Sequence, residues 1–325
     1  MTCCTPPGPD LPPRHAAAPG GGAGPGGGAV PGGGAVPGGV HGGGVHPITQ
    51  ARVPAGAFAM GDAHGDGYRA DGELPVHRVV LPAFTIDATT VTVAAFAAFV
   101  DATGHVTDAE RFGSSAVFHA CAADPSAGVP IPGTPWWLTT ADASFRTPGG
   151  PGTVAHDDHP VVHVSHADAL AYCAWAGRAL PTEAQWEYAA RGGLEGARYP
   201  WGDEHPVPGR DCAIFVGDFP EPDGAAGTAP AAAYAPNGYG LYQAVGNVWE
   251  WCADRFSVRY YRVSPEHTPS GPDRGTARVL RGGSHLCHDS YCYRYRVAAR
   301  SHNTPRSTAS NIGFRTVSDS DILRP

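Results

Sequence analysis

The chain contains no lysine; all 22 basic residues are arginine, against 30 acidic ones. The net charge of −8 argues against the positive field of a general nucleic-acid binder. No apolar run approaches the ~20 residues of a membrane-spanning helix. The start, MTCCTPPGPDLPPRH, lacks the apolar stretch of a secretory signal. The expectation is a cytoplasmic, monomeric protein with no nucleic-acid or membrane partner. Only 16% of the residues are charged, whereas 45 are Gly and 33 are Pro. That composition excludes a helical bundle or coiled coil, which need long uninterrupted stretches of helix formers.

The Gly and Pro are concentrated at one end. Residues 1–46 hold 16 Gly and 9 Pro and no aromatic residue, in runs such as AGPGGGAVPGGGAVPGG. Such a segment buries too little apolar surface to offset its ordering entropy, so it reads as a disordered tail. Residues 47–325 carry every Trp, Tyr and Phe and read as one folded domain.

Within that domain, ARVPAGAFAMGD (51–62) and LPAFTIDATTV (81–91) read as short strands broken by turns. Val91, Phe96, Phe99 and Val100 fall near helical spacing, with Gly104 to end the helix. The clearest helical region is 159–193. Ser165 with Asp168, and Thr182 with Gln185, have capping-box spacing; Leu180-Pro181 separates two helices, and Gly192-Gly193 stops the second. Beyond them the chain reads as loops and short strands punctuated by Gly, Pro and Trp. The fold class expected is α+β, a single mixed domain with much irregular backbone. Loops this long in a compact domain carry function or are held by metal ions.

Of the eight cysteines, Cys287 and Cys292 lie in the most unusual stretch, RGGSHLCHDSYCYRYRVAAR. Their spacing of five puts them on opposite faces of a strand and ~140° apart on a helix. They face one point only if the backbone turns between them, and His288-Asp289-Ser290 suits a turn. Three readings stay open: a disulfide, two inert core thiols, or a two-thiolate site for a soft ion. Zinc sites use two C-x2-4-C pairs, and no second pair is present. Two thiolates alone suit Cu(I). From Arg274 to Arg315 there are eight Arg and one acid, Asp289. That charge favours thiolate, unless the Arg pair with acids from elsewhere.

These motifs, with ALPTEAQWEYAARGG, PNGYGLYQAVGNVWEW and SNIGFR, resemble the formylglycine-generating enzyme (sulfatase-modifying factor) family from about residue 51 to 318. GNVWEW and GFR mark the wider superfamily, while CHDSYCYRYR with both Cys looks specific to the catalytic branch. The resemblance implies a fold related to C-type lectin-like domains. It also implies oxidation of one cysteine, in a Cys-x-Pro-x-Arg motif of a nascent or unfolded sulfatase, to Cα-formylglycine with O2 and Cu(I). Cys287 and Cys292 would be the copper thiolates, and Ser284, Trp249 and Asn311 would match active-site positions. Trp136 and Trp137 match a pair lining the substrate groove. Ser114 stands where some relatives place an Asp that pairs with the motif Arg.

Structural Ca2+ is implied as well. One site would use Gln243, Gly246, Val248 and Glu250. The other would use Ile214 and Asp223, but Ala213 and Ala225 replace its usual Asn and Phe. Val297 and Thr316 stand where secreted relatives form a disulfide. A non-catalytic lectin-like binding module of the same superfamily is the competing class. Iron-dependent sulfoxide synthases fit less well, since no HxxxHxE pattern is present.

Overall fold

The computed structural model describes Pro6 and residues 45–318. The tail reading for 1–46 therefore falls almost wholly outside the described residues. Three of its residues, Pro6, Val45 and His46, are placed. Pro6 is buried. His46 bonds Asp87 at 2.7 Å and the Tyr172 hydroxyl at 3.0 Å, so the folded domain reaches back at least to it.

Four short strands come first: β1 (Gln50–Val53), β2 (Gly56–Met60), β3 (His77–Leu81) and β4 (Phe84–Asp87). Helix α1 (Val93–Thr103) follows, capped by Thr92 and ended by left-handed Gly104 at φ 67° as its sequence predicts. Helix α2 (Asp108–Phe112) is a single capped turn leading into β5 (Ser114–Phe118), β6 (Val129–Ile131) and β7 (Thr134–Ala141). Next come α3 (His166–Ala176), β8 (Arg178–Ala179) and α4 (Glu183–Ala190). Both predicted capping boxes are present, Ser165 with Asp168 and Thr182 with Gln185. The remainder is mostly loop, with β9 (Gly217–Asp218), β10 (Glu221–Pro222), β11 (Trp249–Arg255), β12 (Arg278–Arg281), β13 (Arg300–Asn303), β14 (Ile312–Gly313) and β15 (Val317–Ser318).

Two sheets position the site. One has the order β5-β7-β6, the other β13-β12-β11-β14. In the second, β11 and β14 run parallel and start together, Trp249 opposite Ile312, while antiparallel β12 ends there with Arg281 opposite Glu250. Trp249, the Gly282-Gly283-Ser284 segment and Asn311 therefore meet at one end of this sheet. A main core containing Trp137, Tyr172, Trp186, Trp249 and Trp251 lies beneath them and includes Cys287 and Cys292. This is a mixed α/β single domain, poor in regular structure.

Candidate active site

Gly282 and Gly283 turn the chain out of β12 with φ of 93° and 73°. A Cβ on Gly283 would sit 2.8 Å from the Arg294 carbonyl oxygen, so only glycine lets the two segments approach this closely. The turn delivers Ser284, whose backbone N–H points to Cys287 Sγ at 3.3 Å. Asn311 Nδ2 donates to Ser284 Oγ at 3.0 Å, and the Trp249 N–H donates to the Asn311 carbonyl at 2.8 Å. The indole N–H of Trp249 is buried without an acceptor among the described residues. Five residues singled out from sequence are thus brought together: Ser284, Cys287, Cys292, Asn311 and Trp249.

The backbone between the cysteines turns where expected. The His288 carbonyl accepts N–H groups from both Tyr291, at 3.0 Å, and Cys292, at 2.7 Å. The two sulfurs end 3.2 Å apart, both fully buried. That is contact distance, beyond the ~2.05 Å of a disulfide between these two; Cys287 is a free thiol, whereas Cys292 is disulfide-bonded. The arginine-rich stretch resolves both ways. Arg281, Arg296, Arg300 and Arg315 are buried and pair with Glu183 and Glu187, Glu73, Glu183, and Glu250. Arg294 pairs with Asp71 at 2.5 Å and also reaches Cys292 Sγ at 3.8 Å.

An aromatic wall rises beside the two sulfurs. Tyr291 stacks on Phe219 with centroids 3.8 Å apart and planes at 10°. Trp136 meets both edge-on and donates its N–H to the Tyr291 hydroxyl at 3.0 Å. Trp137 does not line this wall. Side chains alternate along β7, so it turns inward and is 1% exposed. Ser114, half-buried, opens β5 at the far end from Phe118, which meets Phe219 at 5.9 Å. Sequence reasoning missed Tyr291, Phe219 and Arg294. Tyr291 and Arg294 lie in or beside the two-cysteine motif, but Phe219 sits in a loop with no periodicity to mark it.

The expected calcium ligands fall in two places. Both Glu250 oxygens accept from Arg315, at 2.6 and 2.8 Å, and one also takes the Trp186 indole N–H at 2.7 Å. This carboxylate already neutralises a guanidinium, which fits poorly with a hard cation on the same oxygens. Gln243 Oε1, by contrast, is buried with no partner among the described residues. Ile214 and Asp223 line a cavity of about 310 Å³ together with His285. Among the described residues no three His, Cys, Asp or Glu side chains cluster as a metal cage.

Residues 46–320 match the Sulfatase-modifying factor enzyme 1-like domain. The chain belongs to that family. It is 60% identical over 282 residues to the formylglycine-generating enzyme of Streptomyces coelicolor, covering 84% of this chain and 90% of that one. It is 49% identical over 285 residues to the formylglycine-generating enzyme of Bos taurus, covering 84% and 75%. The solved structure of PvdO from Pseudomonas aeruginosa shares the fold, with a TM-score of 0.61, 24% identity, and 82% and 93% of the two chains covered.

Proposed function

We propose that this chain matures sulfatases, converting the cysteine of a Cys-x-Pro-x-Arg motif in an unfolded sulfatase polypeptide to Cα-formylglycine with O2 as oxidant. The observation that carries this reading is the buried Cys287–Cys292 pair, 3.2 Å apart beside an aromatic wall, in a chain of this family.

A Cβ–H bond is inert toward any protein side chain, so the chemistry needs a metal. Once Cys292 is reduced, the donor set fits Cu(I), with two soft sulfurs that are both fully buried. Cys287 and Cys292 would hold the ion, which when bound supplies the O2 chemistry. The protein's own part is electrostatic and steric. The Ser284 N–H on Cys287 favours thiolate there, and the Arg294 guanidinium would do the same for Cys292 once it is reduced. Asn311 fixes Ser284, and burial keeps bulk water from the reacting atoms. Trp136, Tyr291 and Phe219 offer flat apolar surface to an extended peptide, the form in which an unfolded substrate arrives. Two electrons and two protons pass from the substrate CH2–SH to O2 to leave a thioaldehyde, and water then displaces its sulfur as sulfide to give the aldehyde.

Structural Ca2+ is part of the reading only on oxygens other than those of Glu250, with Gln243 Oε1 the best placed. A cytoplasmic, monomeric enzyme is proposed; Val297 and Thr316 are packed in the core where secreted relatives are cross-linked. The deciding experiment incubates a Cys-x-Pro-x-Arg peptide with copper-loaded protein and follows the mass loss of thiol-to-aldehyde conversion. A protein that neither converts the peptide nor binds Cu(I) when reduced would be the non-catalytic binding module instead.

A further inference from the structure

Two loops, 62–74 and 258–262, enclose a cavity of about 500 Å³ that shares no residue with the aromatic wall. The loops are fixed against each other. A Cβ on Gly72 would collide with the Val258 backbone, and buried Arg300 donates to the carbonyls of Asp71, Gly72 and Ser257 at 3.2, 2.9 and 3.5 Å. Arg69 lines the cavity from the first loop, Arg259 and Arg262 from the second. The Arg262 N–H donates to the Arg259 carbonyl at 3.1 Å, closing a 3-10 turn. Residues three apart eclipse on such a turn, so both side chains leave from one face.

These three guanidinium groups are not neutralised. Five arginines among the described residues have neither an ion pair nor a guanidinium hydrogen bond. Three of them are these, and the others are Arg52 and Arg274. The acids of the lining are already satisfied. Asp62 takes the N–H groups of His64, Gly65 and Gly67 at 3.0, 3.0 and 2.8 Å, and Glu73 takes Arg296 at 2.8 and 2.9 Å. Burial also pushes the Glu73 carboxyl up to about 7, which trims its negative charge at neutral pH. Like charges on one face of a turn repel, and the chain has 30 acids against 22 arginines to offer as partners. None of the described ones reaches these three.

Between the arginines the lining is apolar, with Tyr68, Leu74 and Val258 all exposed. A carboxylate offers two oxygens in one plane and is matched by a single guanidinium fork. A tetrahedral ester offers three terminal oxygens, one for each of three guanidinium groups approaching from two sides. We propose that this cavity binds a sulfate or phosphate monoester with an apolar body. Arg69, Arg259 and Arg262 take the terminal oxygens, and the body lies on Tyr68, Leu74 and Val258. The volume suits a small molecule of this kind. The cavity adjoins the two-cysteine loop without entering it: the Tyr68 hydroxyl accepts the Tyr293 N–H at 3.2 Å, and Arg294 lies 4.1 Å over the Tyr68 ring. Neither cysteine and no groove residue takes part, so binding stands apart from turnover.

The test is isothermal titration calorimetry of the full chain at low salt, with 4-nitrophenyl sulfate and 4-nitrophenyl phosphate as probes. At least one ester is expected to bind once per chain, more tightly than inorganic sulfate or phosphate and than 4-nitrobenzoate, and the tighter of the two names the group. Arg69→Ala, Arg259→Ala and Arg262→Ala should each weaken binding about tenfold, the loss of one charge-assisted contact, with melting temperature unchanged. Arg274→Ala removes an equally exposed and unpaired arginine that does not line the cavity, and should leave affinity as it is. Binding of neither ester, no loss in the cavity variants, or an equal loss in Arg274→Ala overturns the proposal. So does inorganic sulfate or 4-nitrobenzoate binding as tightly as the esters. A short peptide of Asp and Leu that binds in preference to both esters overturns it too, because the cavity would then be a peptide site.

Discussion

At Cys287 and Cys292 a spacing that suits neither strand nor helix becomes a shared point, because the His288 carbonyl gathers two N–H groups into a tight turn. Replacing either cysteine with Ala removes one of two soft donors, and a single thiolate does not retain the ion. Cys287→Ala is expected to abolish both Cu(I) binding and peptide turnover; near wild-type turnover would exclude the copper assignment. Ser114 makes the opposite kind of prediction, a small one. It cannot form an ion pair with a substrate Arg, so Arg-to-Gln replacement in the peptide should carry a mild penalty. Ser114→Asp should sharpen that preference by no more than ~1 kcal/mol, as for a solvent-screened pair. The readout is the Arg/Gln ratio of kcat/KM at two salt concentrations, and an unchanged ratio means that Ser114 does not face that side chain.

Helix α4 holds the site from behind. Every residue from Glu183 to Ala190 is buried. Arg281 joins Glu183 and Glu187 at 2.7 and 2.6 Å, and Arg191 and Arg300 complete the network. Arg281 is the last residue of β12, so these pairs fix the strand end from which Ser284 hangs. Burial pushes the Glu187 carboxyl up, but Arg191 and Arg281 more than offset that and hold it at about 2. Its folded value lies below the ordinary one, so its stabilisation is present above pH ~4.5 and is lost as pH falls toward 2. Glu187→Gln leaves two buried guanidinium groups short of charge and should cost about 3–5 kcal/mol in urea unfolding at neutral pH. A cost below 1 kcal/mol would mean that the network is dispensable.

Across the whole molecule, acid sensitivity is set by buried groups. Burial lowers His163 and His166 to about 4, with the charge of Arg278 adding to the effect at His166. His163 bridges Ser115 and the Pro148 carbonyl, and His166 contacts the Cys252 carbonyl, each as a neutral ring. A depressed folded value means stability that is complete above pH ~6.5 and declines as pH falls toward 4, where the unfolded chain takes up protons first. Histidine NMR should find neither ring protonating above pH 5. A midpoint near 6.5 at either would show that water reaches it.

The sequence by itself determined the α+β class, the end of α1 at Gly104, the capped starts of α3 and α4, the stop after α4, the need for a turn between Cys287 and Cys292, and the family. Each is a local property. Caps act within one helical turn, glycine acts at its own φ, and motifs are contiguous. Tertiary structure alone decided which arginines serve structure and which one reaches a cysteine sulfur, because their partners Glu73, Glu183 and Glu250 lie far away in the chain. It also separated Trp136 from Trp137, since strand alternation splits neighbours only once β7 has a buried face. It turned Glu250 toward Arg315. It placed Phe219 on Tyr291 and the Pro6 carbonyl on Asn303, across separations that no spacing rule spans. Contacts between distant segments form because burial rewards them, and burial exists only after the chain has closed on itself.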